Sequence, residues 1–435
     1  MRWASLPAVG MMVRVACVAL MVAACGPKVV LEPGTQEDIS DEDTGKKHDA
    51  EKKWSARLLS DVPVQNPSWP QSGQNMAHVM TPFSVPHSLT LVKKIKVSAP
   101  YAHTIQPVTN TNYIFVVTKS GTVAAMTFQG EKKWETALPS KPHHDNAGQL
   151  LGGLACNEHY VYVTTPKRQV VCLNSNTGKV VWTFNTRTPA RGGPCLHNDT
   201  VVITTVDSCV HCINASTGKR VWEYIHPYPE NTSLLHFHPP ALWNNRVVSG
   251  TTSGELVCLD ENDGSMVWSS NVCALPKLRT IVHVGASPVI RNNRVYSLSY
   301  NGQITCSDME TGESIWESLV KSAYAPVMNA SVLFVVAENK ELHAIDAHSG
   351  QTYWHTALPK NLKDSSPPLY AGRYIYVVGS GGMMMALDPC KKGEVAHTWT
   401  LGEPCTCAPI VANNTMIVLS DQGTLFLFSA SKDTP

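Results

Sequence analysis

The chain has 435 residues, of which 16% are charged, and a formal net charge of +1. It therefore lacks the basic excess of a nucleic-acid-binding surface. A chain of this length ordinarily divides into two or three domains, but a closed ring of small sheets absorbs it as one, so internal repetition is the first thing to test.

Residues 1–24 read as a signal peptide. Arg2 and Arg14 supply positive charge, and Val15 to Ala24 is an apolar run of ten, well short of the roughly 20 residues a transmembrane helix needs. The run ends in Val22-Ala23-Ala24-Cys25. Small residues before a cysteine resemble a bacterial lipobox, which implies that Cys25 carries diacylglycerol and becomes the mature N-terminus. An ordinary signal peptide with a chance cysteine, or a short membrane anchor, is the alternative. Residues 25–68 are polar, with Asp41-Glu42-Asp43 and two lysine pairs. They hold too few apolar groups to offset the entropy of ordering, and read as a flexible tether.

Beyond the tether the phrase Gly-x-x-x-Trp recurs. It ends at Trp134, Trp182, Trp222, Trp268, Trp316 and Trp354, with a looser copy from Gly393 to Trp399. The tryptophans stand 38 to 48 residues apart, the period of a four-stranded propeller blade. The unit around Trp316 shows the pattern. A strand opens at Ser287-Pro288-Val289-Ile290, Asn292-Asn293 turns, and a second strand runs from Arg294 to Ser299. Asn301-Gly302 is a hairpin turn, Gln303–Ser307 a third strand, Glu310-Thr311-Gly312 the next turn, and Glu313–Glu317 the fourth strand. First strands begin near Pro107, Leu154, Pro194, Pro240, Pro288, Pro326, Pro368 and Pro409. That makes eight units and seven tryptophan-bearing fourth strands. The eighth unit stops at Leu425-Phe426-Leu427-Phe428 and would leave an open edge. Ser88 to Val97 is strand-like and is assigned as its missing outer strand. The reading is an all-β, eight-bladed β-propeller of four-stranded antiparallel blades over residues 69–431, the last blade closed by an N-terminal strand.

The fuller phrase Cys306-Ser307-Asp308-Met309-Glu310-Thr311-Gly312-Glu313-Ser314-Ile315-Trp316 resembles the tryptophan docking motif of quinoprotein-type propellers. The resemblance covers about residues 69–430. It implies that the small residue and the tryptophan pack against the neighbouring blade. Two subfamilies follow from it: dehydrogenases that hold pyrroloquinoline quinone and calcium, and BamB-type lipoproteins that act as scaffolds in the outer-membrane β-barrel assembly machine. Size, lipobox and short blades resemble the second. Trp69-Pro70-Gln71-Ser72-Gly73 is similar to the N-terminal entry of alphaproteobacterial members.

Thirteen cysteines invite a disulfide reading, but Cys172, Cys212, Cys258 and Cys306 each lie ten residues before a blade tryptophan, where other units have Ala124, Ala344 and Ala386. They read as small apolar packing residues. Cys209 and Cys212, three apart on a strand, face opposite sides and suit neither a metal nor a disulfide. Cys405 and Cys407 share a face without a second pair nearby. Cys156, Cys195, Cys273 and Cys390 remain open to pairing. His143-His144 and His236-Phe237-His238 sit in inter-blade insertions without an accompanying carboxylate cluster and read as solvated. No Cys-Cys dipeptide, such as quinoprotein dehydrogenases set against the quinone, is present, nor is there a Gly-x-Ser-x-Gly or His-Glu-x-x-His motif.

Binding residues belong on the longest inter-blade insertions, 139–153, 225–239 and 272–287. The BamB-type resemblance places partner contacts on the loops entering the fourth and fifth blades, which here carry Leu234, Leu235, Arg279 and His283. The match is partial: Thr232-Ser233-Leu234-Leu235 stands for Leu-x-Leu-Arg, and His283-Val284-Gly285 for Asp-x-Asp. The two leucines packing under their own loop is the alternative. The implied function is a non-catalytic lipoprotein scaffold without cofactor or metal, facing the periplasm from the outer membrane. Its implied partners are the barrel-forming assembly protein and unfolded outer-membrane clients. A quinone-dependent periplasmic dehydrogenase is the second reading and a ligand-sensing propeller the third.

Overall fold

The computed structural model describes residues 63–80, 83–86, 88–97, 105–118, 121–139, 152–190, 192–227, 239–272, 284–300, 302–322, 324–329 and 331–430. The chain divides into residues 1–49 and 50–435, and all described residues lie in the second unit.

The described residues build eight four-stranded antiparallel sheets, each drawn from one stretch of chain except the last. First strands start at Val108, Gly153, Cys195, Ala241, Val289, Val327, Leu369 and Ile410, within one residue of the sequence expectation. The turn chemistry explains why four strands form. Asn292 and Asn293 both take positive φ, 52° and 59°, as do Asn244–Asn245 and Asn413–Asn414. Paired left-handed residues make a two-residue hairpin turn whose twist matches its strands. At the third-to-fourth turn Asp308 Oδ1 accepts the backbone N–H of Glu310 and Thr311, and Gly312 follows at φ 75°. The carboxylate thus orders the turn and glycine makes its left-handed exit without strain.

Burial grades across each sheet. Second and third strands such as Thr200–Thr204 and Val210–Asn214 are buried almost throughout, because neighbouring blades cover both faces. Fourth strands such as Val180–Asn185 alternate between exposed and half-buried and form the rim. First strands are mostly buried and form the inner edge of each sheet.

The eighth sheet takes its outer strand from the N-terminus. Leu89–Lys96 pairs antiparallel with Thr424–Ala430, as expected from the sequence. Strand direction then fixes two unlike faces. The first-to-second and third-to-fourth turns lie on one, here called the turn face. The second-to-third turns and the connections between blades lie on the other, the loop face.

Residues 64–80 and 83–84 form a feature without counterpart in the repeat. Proceeding along the chain, Asn66 O accepts the N–H of Asn413 in blade 8, and Trp69 exchanges backbone hydrogen bonds with Thr109 in blade 1. Pro70 O accepts from Cys156 in blade 2, and Gln71 Oε1 from Leu196 in blade 3. Met76 O accepts from Leu242 in blade 4, Ala77 O from Ile290 in blade 5, and Phe83 O from Gly372 in blade 7. Val79 packs among side chains of blades 5 and 6. Ser84 N then donates to Val64 O at 2.8 Å, and a Val64–Phe83 bridge closes the circuit. The segment thus passes once round the axis in blade order, at the turn-face ends of the first strands. The sequence-based domain start at Trp69 falls inside it.

Candidate functional site

The repeated tryptophans form the seams between blades. Trp134, Trp182, Trp222, Trp268 and Trp316 each donate an indole N–H to a backbone carbonyl in the next blade: Ser175, Ala215, Glu261, Met309 and Ala347, at 2.7 to 3.1 Å. Each ring also lies on the glycine of the next blade's turn. A Cβ on Gly178, Gly218, Gly264, Gly312 or Gly350 would come within 2.5 to 2.6 Å of it. Trp354 meets Gly393 in the same way at 3.0 Å. The glycine of the phrase therefore serves the tryptophan of the preceding blade, not its own.

Two seams depart from this scheme. Opposite Ala386 the outer strand of blade 7 carries His397, while Trp399 pairs with Met384 two residues on. Trp399 still reaches the next blade, donating to Leu89 O at 3.0 Å. At the seam between blades 8 and 1, Ile95 fills the place of the tryptophan: a Cβ on Gly130 would meet Ile95 Cδ1 at 2.7 Å. Lys93 Nζ donates to Gln129 O there.

Cys172, Cys212, Cys258 and Cys306 each pair across the sheet with the blade tryptophan. Blade 1 places Ala125, not Ala124, in that position because its turn is one residue shorter. All ten described cysteines are free thiols. Burial pushes Cys172, Cys212 and Cys258 up to about 12 and Cys306 to about 11, which leaves them unreactive near neutral pH. Cys405 and Cys407 are buried and raised further. Among the described residues no group of three or more His, Cys, Asp or Glu is arranged to hold a metal ion.

Leu234, Leu235, Arg279, His283 and Cys25 lie outside the described residues, as do His143-His144 and His236–His238. What the structure shows of the loop face is its framework. After blade 2 the chain is pinned to blade 3 through Asp207, which accepts from Thr188 Oγ1 at 2.6 Å and pairs with Arg187 at 2.8 Å. Burial alone would raise the Asp207 carboxyl, but hydrogen bonds from Thr188, Thr205 and Arg187 outweigh it and hold the group at about 2. After blade 3, His226 Nε2 lies 3.0 Å from Glu255. On the turn face a cleft of about 260 Å³ lies between blades 2 and 3, lined by Gln71, Glu158, Tyr162 and His197 among others. Its carboxylate is already engaged, Glu158 accepting from Thr111 Oγ1 at 2.7 Å. His197 pairs with Glu261 at 2.5 Å. On the rim, the residue before each tryptophan of blades 2 to 6 is apolar or aromatic and exposed: Val181, Val221, Val267, Ile315 and Tyr353.

Eight antiparallel sheets joined by docked tryptophans define a propeller of the quinoprotein-like repeat class. Within it, the model of the family described as outer membrane protein assembly factor BamB matches residues 119–356 and 338–433, and the chain belongs to that family. The Yersinia pestis outer membrane protein assembly factor BamB is 25% identical over 338 residues, 76% of this chain and 85% of that protein. The crystal structure of BamB from Moraxella catarrhalis superposes with a TM-score of 0.68 at 20% identity, over 79% of this chain and all of that one. Quinohemoprotein alcohol dehydrogenase from Comamonas testosteroni gives the same TM-score at 14% identity, over 88% of this chain and 85% of that one. The fold alone therefore does not separate scaffold from enzyme.

Proposed function

We propose that this protein is a non-catalytic, lipid-anchored scaffold for the assembly of outer-membrane β-barrel proteins, held to the periplasmic side of the outer membrane through Cys25. The BamB family match supports the assembly role. The observation that carries the scaffold reading is the circuit of residues 64–80 and 83–84, which puts polypeptide across the turn-face mouth of the axis, the symmetric place for a central cofactor. Nine of the ten described thiols are buried, and on the loop face Asp207 and His226 are engaged in pinning connections.

On this reading the barrel-forming partner docks on the inter-blade loops that contain Leu234, Leu235, Arg279 and His283, a small apolar anchor set in a polar surround. The exposed Val181, Val221, Val267 and Ile315 lie on outer strands whose free edges suit pairing with an extended client strand. The test is co-purification from detergent-solubilised membranes. Wild-type protein is expected to bring down the barrel-forming component, and a Leu234→Asp/Leu235→Asp variant to lose it. Undiminished recovery with the variant would remove the loop assignment. No barrel-forming component with the wild type would remove the scaffold reading.

A further inference from the structure

Residues 64–80 and 83–84 are held in an unusual way. Each first strand keeps its ladder with the second strand of its own blade, and the segment adds bonds only to the free inner edge. Thr109, Cys156, Leu196, Leu242, Ile290, Gly372 and Asn413, on seven blades, each give it one backbone N–H. Large anchors sit near its two ends, where Trp69 and Phe83 are buried edge to face with ring centroids 5.4 Å apart. The circuit itself is closed by Ser84 N to Val64 O and the Val64–Phe83 bridge. Its closed state also leaves two buried polar atoms unpartnered, Trp69 Nε1 and His78 Nε2. A buried group without a partner raises the energy of the state that buries it.

We infer that residues 64–80 and 83–84 form a strap that opens as one cooperative unit while the eight blades stay closed, and that it thereby gates the turn-face mouth of the axis. Cooperativity follows from the linear path. Losing the Val64–Phe83 clasp opens the circuit, and what remains is a single path with only one or two hydrogen bonds to each blade, such as the exchanged pair between Trp69 and Thr109 and the Ala77 and His78 bonds to blade 5. Independence from the blades follows from topology, since no ladder inside a sheet uses a strap residue. The open state presents seven backbone donors on seven blades to the axis, all of one chemistry, which is what the carbonyls of an extended polypeptide require. Masked in the closed state, this ring of donors belongs to no established site of the chain.

Hydrogen exchange of the full-length protein read by residue-resolved mass spectrometry tests the strap. The amides of residues 109, 156, 196, 242, 290, 372 and 413 are far apart in sequence, yet in the wild type they are expected to share one opening free energy, lower than that of second- and third-strand amides. Ser84→Pro removes the clasp donor and is expected to speed all seven together by about fivefold, the worth of one hydrogen bond, with second- and third-strand amides unchanged. Scattered protection among the seven in the wild type overturns the inference, and that reading needs no variant. It is also overturned if the variant accelerates only 372 and 413, or if the blade ladders accelerate equally, which would make strap opening the same event as ring unfolding.

Discussion

At the scale of single residues, the seams rest on glycine more than the tryptophan pattern suggests. Gly312 sits at φ 75° with the Trp268 ring where a Cβ would be, whereas Gly121 sits at φ 76° with nothing within 4 Å. A Gly121→Ala change pays only the left-handed backbone term, about 1 kcal/mol, while Gly312→Ala adds displacement of an indole and is expected to cost roughly 2–3 kcal/mol. Urea midpoints of the two variants give the difference, and equal losses would deny the docking role. His78 offers a second test. It is buried in the strap, and burial lowers it from 6.5 to about 4 against the opposing bond to Pro288 O. The folded protein keeps the ring neutral to about pH 4, whereas the unfolded chain takes up a proton near 6.5. Between those values the unfolded state binds more protons, so His78's contribution is intact above pH 6.5 and drains as pH falls toward 4, by up to roughly 3 kcal/mol. Carboxylates titrate there too, so the readout is the wild type against His78→Asn, which tolerates the positive φ and keeps a donor for Pro288. The stability gap in the wild type's favour is expected to narrow as pH falls from 7 to 4.5.

At the scale of the element, what the sequence disclosed is what side chains specify locally. Asn292-Asn293, the Asp308-to-Gly312 turn and the prolines before first strands act within a few residues, so strand starts could be read to within one position. The borrowed strand was legible because Ser88 to Val97 is strand-like and the eighth unit lacks an edge. Errors arise where register depends on a partner out of sight. Gly393 to Trp399 is longer than its siblings, and the structure spends the extra residues by placing His397 where a tryptophan would stand. Ala124 and Ala125 exchange roles for the same kind of reason. Both irregular seams flank blade 8, where a strand lacking tryptophan meets blade 1 through Ile95 and Lys93. The strap was illegible beyond a short similarity at Trp69. Its bonds are mostly made by its backbone carbonyls, which leave no periodic trace in side-chain identity. Residues of the candidate partner loops were legible by resemblance only, since a loop's role lies in what it meets, not in its own pattern.

At the scale of the whole molecule, both devices that make a ring out of a row lie in one stretch, residues 64–96. The strap ties seven blades to a common segment, and Leu89–Lys96 joins the last blade to the first. Without closure, eight repeats are a linear array whose stability is a sum of unit terms and nearest-neighbour seams, and whose ends fray separately. With it, an opening at one seam must strain the others, so the ring unfolds as a unit. A chain lacking residues 63–97 is therefore expected to change the form of its unfolding as well as its midpoint. For the intact ring the van't Hoff enthalpy should approach the calorimetric one, whereas for the deleted chain it should fall well below, as blades near the break melt first. The same deletion bares the edge of Thr424–Ala430, whose Leu425, Phe426, Leu427 and Phe428 are all buried in the complete sheet. An apolar unpaired edge is a template for self-association, so light scattering should rise with concentration in the deleted chain alone. Two-state melting retained after the deletion would mean that the tryptophan seams suffice to couple the blades and that closure adds only stability.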